Sequence, residues 1–142
     1  METQSKKRKS GVPTGNAGEY FVMGELLRRG YDAQLADCNT KGYDILVGRP
    51  TETALRKVQV KSVRTQPWYV SKSQFTEESL DFVTIYVLVG SEKSSPQVRY
   101  FIAKNRKVAR HAHWPVGWPS SGFMDLKAVE RFEDAWQNVH FR

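Results

Sequence analysis

Two short apolar runs, residues 42–47 and 56–63, constrain the fold most strongly, because both carry polar side chains that a plain core strand would not use. In the second run the side chains alternate between two faces, so Gln59 and Lys61 point to the same side. A turn-rich loop joins the runs, and antiparallel pairing would bring Asp44, near the start of the first run, beside Lys61. The pattern predicts a hairpin that gathers these three polar side chains at one point.

The same residues also fit a plainer interpretation. Asp44 could serve only as a turn residue after Gly42, and Gln59 and Lys61 could form the water-facing side of a half-exposed hairpin. The two interpretations differ in whether another charged side chain joins the group, so a third element is needed to choose between them.

Residues 16–30 predict a helix that carries such a side chain. Asn16 suits the N-cap, two arginines suit the last turn, and Gly30 suits a left-handed stop. At about 100° per residue, Glu19 falls in the middle of the apolar stripe of this helix. A carboxylate on a core-facing stripe is costly to desolvate unless it meets a cation or a metal ion. The alternative is a capping box, in which Glu19 reaches back to Asn16.

The order of these residues along the chain is informative. A glutamate early in an amphipathic helix, Glu19, is followed by Gly-Tyr-Asp ending at Asp44 and then by Gln59, Val60 and Lys61 inside the next strand. This arrangement resembles the PD-(D/E)XK nuclease superfamily, in particular its small Holliday-junction-resolvase-like members, over more than half of the chain. The resemblance implies an α/β fold, a restriction-endonuclease-like mixed β-sheet flanked by helices. It also implies a hydrolase, a metal-dependent DNA endonuclease that cleaves phosphodiester bonds.

The resemblance also implies roles for individual residues. Glu19, Asp44 and Gln59 would hold Mg2+ or Mn2+, with the carbonyl of Val60 as a further ligand, and Lys61 would assist the attacking water. Two departures stand out: no proline precedes Asp44, and Gln59 stands where an acidic residue is usual. An amide oxygen can ligate a hard cation but brings no charge, so metal affinity is expected to be lower. A catalytically decayed DNA-binding protein of the same fold, or a subunit of a larger DNA-processing assembly, is therefore the alternative function.

Length, composition and net charge indicate the number of domains and the kind of binding partner. The chain has 142 residues, of which 39% are hydrophobic, and its 22 basic residues outnumber 15 acidic ones to give a net charge of +7. The length predicts a single nuclease-like domain over residues 16–142, and the charge predicts a polyanionic partner such as DNA. The cations at positions 6–9, among small polar residues without periodicity, predict a disordered basic arm over residues 1–15. No apolar run is long enough to span a bilayer, and the lone Cys38 excludes an internal disulfide, so the expected location is the cytoplasm. A homodimer would be needed to cut two strands at once.

Three basic segments are candidates for contact with DNA. The arm could grip phosphates or merely aid solubility, and the cationic stretch 104–110 could be a solvated helix or a backbone-binding edge, with a slight preference for binding. Soon after Lys61, residues 64–70 combine a cation, an amide and two aromatic residues, which suit contact with phosphates or splayed bases, although Trp68 and Tyr69 could as easily pack on the core. The predicted DNA-binding residues are Lys6, Lys7, Arg8, Lys9, Arg64, Trp68, Lys104, Arg106, Lys107 and Arg110.

Further elements complete the predicted sheet. Residues 31–36 and 98–103 are expected to form strands, and the almost wholly apolar run 82–89 a central strand buried on both faces. Helical spacing of apolar residues predicts a closing helix over residues 128–138. His111 and His113 lie in a loop without further ligands, so we do not predict a metal site there. Zinc is not expected at the main site either, because the ligands there are oxygens.

Overall fold

The computed structural model describes residues 12–37, 43–51, 54–90 and 97–139. Its helices are α1 (Val12–Arg28), α2 (Asn105–Val108) and α3 (Leu126–Val129). Its strands are β1 (Asp32–Leu35), β2 (Ile45–Gly48), β3 (Arg56–Val63), β4 (Trp68–Ser71), β5 (Val83–Leu88), β6 (Arg99–Lys104) and β7 (Ser121–Met124). Short 3-10 turns occupy Lys72–Phe75, Glu77–Ser79, Ala109–His111, Glu130–Phe132 and Trp136–Val139. Within the described ranges, no helix is long and apolar enough to cross a membrane.

The main sheet has five strands in the order β1-β2-β3-β5-β6. β1, β2 and β3 are antiparallel to one another, β5 runs parallel to β3, and β6 is antiparallel to β5. The predicted mixed sheet is confirmed, and the apolar run that forms β5 lies between two neighbours as expected. β4 and β7 form a separate two-stranded antiparallel sheet, which the sequence pattern did not predict.

Side-chain alternation gives the main sheet two buried faces. Helix α1 covers one face with Val22 and Leu26, which pack on the even-numbered valines of β3 and on Ile85 of β5. The small β4–β7 sheet, α2 and α3 cover the other face, where Tyr86 and Phe101 are completely buried. The opposite orientation of neighbouring residues follows from the two-residue period of a strand. Lys61 therefore points away from α1.

Helix α1 starts earlier than predicted. It begins at Val12, so Asn16 lies inside the helix and cannot be its N-cap, and the capping-box interpretation of Glu19 is wrong. Residues 12–15 consequently belong to the helix and not to the predicted arm, whose residues 1–11 lie outside the described ranges. The C-terminal prediction is confirmed: Gly30 has a φ of +91°, and its N–H donates to the Leu27 carbonyl at 3.0 Å.

The predicted closing helix over residues 128–138 is wrong. The segment divides into α3, which begins where Asp125 caps the Ala128 N–H at 3.1 Å, and two 3-10 turns. Asp134, with a φ of 55°, separates the two turns, because a left-handed residue cannot continue a right-handed helix. The apolar spacing nevertheless brings Trp136 and Val139 into the core beside α1.

Candidate active site

Asp44 lies at the point where the chain enters β2 and is fixed against β3. Its backbone N–H donates to the Val58 carbonyl at 2.8 Å, and its carboxylate Oδ2 accepts the Val60 N–H at 2.8 Å. The carboxylate thus takes the position that a neighbouring strand's carbonyl would occupy. Because the N–H and C=O of one strand residue point to the same side, the Val60 carbonyl also lies on the side of β3 that faces Asp44. Asp44 is held by two strand hydrogen bonds, which a simple turn residue would not need.

Lys61 follows Val60 on β3 and interacts electrostatically with Asp44. Burial lowers the pKa of Lys61, and attraction to Asp44 offsets part of that effect. Burial also raises the pKa of Asp44, against the opposing effects of the Val60 N–H and the Lys61 charge. The hairpin therefore brings Asp44 and Lys61 together, as the pattern of the two runs predicted.

Glu19 joins this group from helix α1. Its side chain is half-buried. The pKa of Glu19 is raised mainly because burial desolvates the carboxylate and, to a smaller extent, because Asp44 repels its charge. The carboxylates of Glu19 and Asp44 are therefore near enough to repel. Glu19 comes from the layer on one face of the sheet and Lys61 points to the other face, so Asp44, at the start of β2, is the residue that links them.

A close approach of α1 to β3 sets the position of Glu19. Gly18 is buried, and a Cβ atom added there would lie 2.6 Å from Ser62 Cβ and closer still to Ser62 Oγ. Only glycine permits this contact without a shift of the helix or strand. The sequence analysis missed Gly18, although a glycine on the core side of an amphipathic helix is a signal of close packing.

Gln59 shares a face of β3 with Lys61, as predicted, and is half-buried. Its side chain lines a polar pocket of about 110 Å³, together with residues from β4, the following turns, the start of β5 and α2. The contacts that connect Glu19, Asp44, Val60 and Lys61 do not include Gln59 within the described part of the chain.

The residues at this site are chemically suited to a hard divalent cation. Two carboxylates with raised pKa values are oxygen ligands of the kind such a cation prefers, and the Val60 carbonyl is a further oxygen on the side of β3 that faces Asp44. The raised pKa values mean that an added positive charge would stabilise both carboxylates in the ionised form. In the ranges that the structure describes, no group of three or more His, Cys, Asp or Glu residues could hold a metal ion. A cation here would thus depend on neutral oxygens besides the two carboxylates.

The prediction that Trp68 contacts DNA is wrong. Trp68 is completely buried, its indole N–H donates to the Val87 carbonyl at 3.1 Å, and its ring packs edge-on against Tyr86 and Phe101. The next residue, Tyr69, is 62% exposed, so of the two aromatic residues considered in this stretch it is the one that lies at the surface. Side chains alternate along β4, so Trp68 and Val70 point into the core and Tyr69 points to solvent. This alternation could have shown which of the two aromatic rings is exposed.

The predicted cationic residues have different surroundings. Lys107 and Arg110 are exposed at and after α2, and Arg64 is exposed after β3. Arg106 is exposed but donates to Asp81 at 3.1 Å, and Lys104 is half-buried at the end of β6. The four cations of the basic arm, Lys6, Lys7, Arg8 and Lys9, lie outside the described residues.

Lys57 is an exposed cation that the sequence analysis did not select. It lies on the same face of β3 as Gln59 and Lys61, and its Nζ is 5.1 Å from the ring centroid of Tyr43 and 5.6 Å from that of Phe82. The alternation used for Gln59 and Lys61 also includes Lys57 and could have found it.

Comparison with known proteins identifies the fold class. No family model matches the chain, and no curated protein matches it. Solved structures do match, and the chain has their restriction-endonuclease-like fold, which confirms the predicted fold class and, at the level of the fold, the predicted resemblance.

Two particular structures carry this conclusion. One is a Holliday junction resolvase from the archaeal hyperthermophile Archaeoglobus fulgidus, 16% identical, with a TM-score of 0.58 over 90% of this chain and 98% of that chain. The other is a bacterial homing endonuclease, 15% identical, with a TM-score of 0.56 over 92% of this chain and 91% of that chain. At these identities the likeness is one of fold.

Proposed function

We propose that this chain is a DNA endonuclease that hydrolyses phosphodiester bonds with the help of Mg2+ or Mn2+. The observation that carries the proposal is the fixed position of the Asp44 carboxylate. It accepts the Val60 N–H, repels Glu19 and attracts Lys61, so two carboxylates and a half-buried ammonium meet where β2 begins beside β3. A group of this kind is costly to bury for stability alone.

The ion would be held by oxygen atoms only. Glu19 and Asp44 supply the two charges, and the Gln59 amide oxygen and the Val60 carbonyl complete the set. When bound, the ion supplies Lewis-acid stabilisation of the charge that develops on the phosphate. The neutral amide at Gln59 leaves the site with one carboxylate fewer than is usual, so we expect the affinity for Mg2+ to be modest.

Lys61 acts on the water that attacks phosphorus. Because burial lowers its pKa, the Lys61 ammonium loses its proton more readily than an exposed lysine would. The Nζ atom orients the water, and in its neutral form it accepts the proton as the new oxygen–phosphorus bond forms and the bond to the leaving sugar oxygen breaks. Asp44 positions Lys61 through its charge.

DNA is the proposed partner because of the net charge of +7 and the exposed cations Arg64, Lys107 and Arg110. The two similar structures are a junction resolvase and a homing endonuclease, so branched DNA and plain duplex DNA are both substrates to test. The proposed cleavage includes structure-specific roles such as junction resolution or repair, and cutting two strands at once would require two sites, which a homodimer in the cytoplasm would provide.

The test is a cleavage assay with labelled duplex, single-stranded and four-way-junction DNA in Mg2+, Mn2+ or EDTA. We expect cleavage only with the metal, and we expect Lys61→Ala to reduce its rate at least about 100-fold with little change in DNA affinity, because Lys61 acts on the transition state. Gln59→Glu should retain activity and need less metal. Lys127→Ala, which removes the same charge from the exposed surface of α3, is the matched control. Cleavage that persists undiminished in Lys61→Ala would refute the mechanism.

A catalytically decayed DNA-binding protein, acting alone or within a larger assembly, is the second candidate. It is favoured by the neutral Gln59 and by the two-carboxylate site, since no third acidic ligand joins it within the described residues. In that case wild type binds DNA without cutting it, Lys61→Ala weakens binding slightly because one phosphate-attracting charge is gone, and Gln59→Glu weakens it through repulsion. The same two variants therefore separate the candidates.

A further inference from the structure

Aromatic side chains lie side by side on the outer face of the small β4–β7 sheet. Tyr69 of β4 is directly opposite Phe123 of β7, because the two residues are partners in the strand register. His113 adds a third row: its N–H donates to the Phe123 carbonyl at 2.8 Å, and its carbonyl accepts the Phe123 N–H at 2.9 Å. The imidazole stacks on the Phe123 ring, with 4.7 Å between the ring centroids.

A tight turn holds a fourth ring against these three. The Trp118 N–H donates to the Pro115 carbonyl at 3.1 Å, and Gly117 has a φ of +90°, the left-handed conformation that glycine adopts in such a turn. The Trp118 ring centroid is 6.4 Å from that of Tyr69 and 6.2 Å from that of Phe123. We call this continuous surface the aromatic platform; it consists of Tyr69, His113, Trp118 and Phe123.

The aromatic platform is open to solvent. Tyr69 is 62% exposed and Trp118 is 39% exposed, whereas Trp68, on the inner side of the same strand as Tyr69, is completely buried. Val116, in the turn before Trp118, is fully exposed. A single apolar side chain at a surface is ordinary, but adjacent rings in a fixed arrangement indicate a binding surface.

The segments that build this layer carry most of the net positive charge of the protein. Residues 64–73 and 104–127 contain seven lysines and arginines and one carboxylate, a net charge of +6, while the whole chain has +7. The carboxylate is Asp125, whose Oδ2 lies 3.3 Å from Nε2 of His113. Lys72 and Arg110 are exposed. This charge is complementary to a polyanion.

Exposed rings and cations on one surface match the chemistry of single-stranded nucleic acid. An unpaired base stacks on an aromatic ring whatever its identity, and the phosphates between bases attract cations. Lys72 provides such a cation beside the rings, because its Nζ is 5.8 Å from the ring centroid of Trp114. A duplex keeps its base faces stacked on one another and would leave the rings of the aromatic platform without a contact.

The aromatic platform is close enough to the candidate active site for one DNA molecule to reach both. Lys61 is the register partner of Tyr86, so its side chain points to the face of the main sheet that the β4–β7 sheet covers. Eight residues separate Lys61 from Tyr69, so their Cα atoms are at most about 29 Å apart even for a fully extended chain. That limit corresponds to about eight base pairs along a DNA strand.

We propose that the aromatic platform binds unpaired bases of the DNA whose backbone lies at the active site. Tyr69 and Trp118 provide the stacking faces, and the cations of residues 64–73 and 104–127 neutralise the phosphates of the same strand. The inference rests on the proposed function, which places the cleaved bond beside Lys61. It adds a substrate preference, namely DNA with a single-stranded segment next to that bond.

The test compares a duplex that has a thymidine overhang of about ten nucleotides with the same duplex that has an abasic overhang of equal length. Binding is measured by fluorescence anisotropy in EDTA, so that no strand is cut. The two overhangs carry the same phosphates, so a difference in affinity reports the bases. We expect wild type to bind the thymidine overhang about tenfold more tightly, from stacking on the exposed rings.

Variants of the two exposed rings test which surface provides the stacking. Tyr69→Ala and Trp118→Ala should each reduce the affinity ratio to about two or less, and Tyr69→Phe should keep it because the ring remains. Tyr20→Ala is the matched control, since Tyr20 on α1 is 65% exposed, and it should keep the wild-type ratio. Added salt should weaken every complex while the ratio persists, because stacking does not depend on counterion release.

Several outcomes would overturn the assignment of the aromatic platform. They are equal affinity of wild type for the two overhangs, an unchanged ratio in both alanine variants, and an altered oligomeric state of these variants with the ratio unchanged, which would make the surface a contact between copies of the chain. Metal-dependent cleavage would still stand in those cases. Absence of cleavage with the ratio intact would overturn the proposed function alone, and failure to bind any of the DNAs would overturn both.

Discussion

Replacing Gly18 by alanine tests whether the contact between α1 and β3 positions the site. The added Cβ would lie 2.6 Å from Ser62 Cβ, an atom that no rotation of the serine side chain can move. Ordinary carbon contacts begin near 3.4 Å, so helix and strand must separate by about 0.8 Å. Glu19, the next residue, would move away from Asp44 with the helix.

The size of the effect follows from two opposing terms. Overpacking of this kind costs about 1–3 kcal/mol, while alanine in place of glycine within a helix returns up to about 1 kcal/mol. We therefore expect Gly18→Ala to lose about 1–2 kcal/mol, or roughly 3–8 °C in melting temperature for a chain of this length. Gly24→Ala on the same helix is the matched control, because a Cβ there meets nothing within 4 Å. It should gain about 0.5–1 kcal/mol.

The assay combines thermal unfolding with metal-dependent DNA cleavage. A displacement near 1 Å at a catalytic group can lower a rate about 100-fold, so activity should fall more sharply than stability. The double variant Gly18→Ala with Ser62→Gly removes both clashing serine atoms and should restore most of the activity. Ser62 Oγ has no hydrogen-bond partner in the described part of the chain, so its removal costs little. If Gly18→Ala matches Gly24→Ala in melting temperature and rate, the close approach does not position Glu19.

Three further predictions concern charge. Mg2+ or Mn2+ at 100 times its Kd should raise wild-type stability by about 2.7 kcal/mol, and Asp44→Ala should abolish the increase in a thermal melt; equal increases in both proteins would place the ion elsewhere. Since desolvation and Asp44 raise the pKa of Glu19 above 4.5, the folded state holds its proton more tightly, and wild type loses stability as pH rises through that raised pKa. Glu19→Gln without metal should therefore gain stability relative to wild type as pH rises from about 4 to about 7 in denaturant titrations, and a constant difference would contradict this sign. Removing residues 1–10 deletes four cations and one carboxylate, a net decrease of three positive charges, and should flatten the slope of log K against log salt for DNA binding by about 0.9 for each phosphate that the arm neutralises; an unchanged slope would make the arm a solubility tail.

The strands of the main sheet could be predicted because their signals are local. β3 has the bounds that its alternating pattern predicted, and β5 is the central strand that its apolar run indicated. The same two-residue period placed Gln59 and Lys61 on one face. The proximity of Asp44 to Lys61 followed from one short hairpin, whereas the position of Glu19 depends on the packing of α1 against β3.

The elements that could not be predicted depend on tertiary contacts. The β4–β7 sheet pairs Trp68 with Met124, which lie far apart in the sequence. Neither segment alone contains a pattern that indicates which distant segment it pairs with. The closing segment has helical spacing, but Asp134 adopts a left-handed conformation that the spacing does not indicate. Trp68 carries the same polar indole whether it stacks on a base or donates to Val87, so composition alone could not decide its role.

Buried polar side chains on the Lys61 side of the sheet connect the fold to the proposed function. Thr84, Gln74 and Asn105 bond to one another beneath Gln59, in a layer that apolar residues could fill at lower cost. Such groups are tolerated when their hydrogen bonds fix a single arrangement, and here they fix the segment next to β3. The rigid support therefore lies on the face that carries Lys61, while Glu19 is held from the opposite face by the contact at Gly18. A site built from two layers in this way has its geometry set by packing, which is what charge stabilisation in a transition state requires.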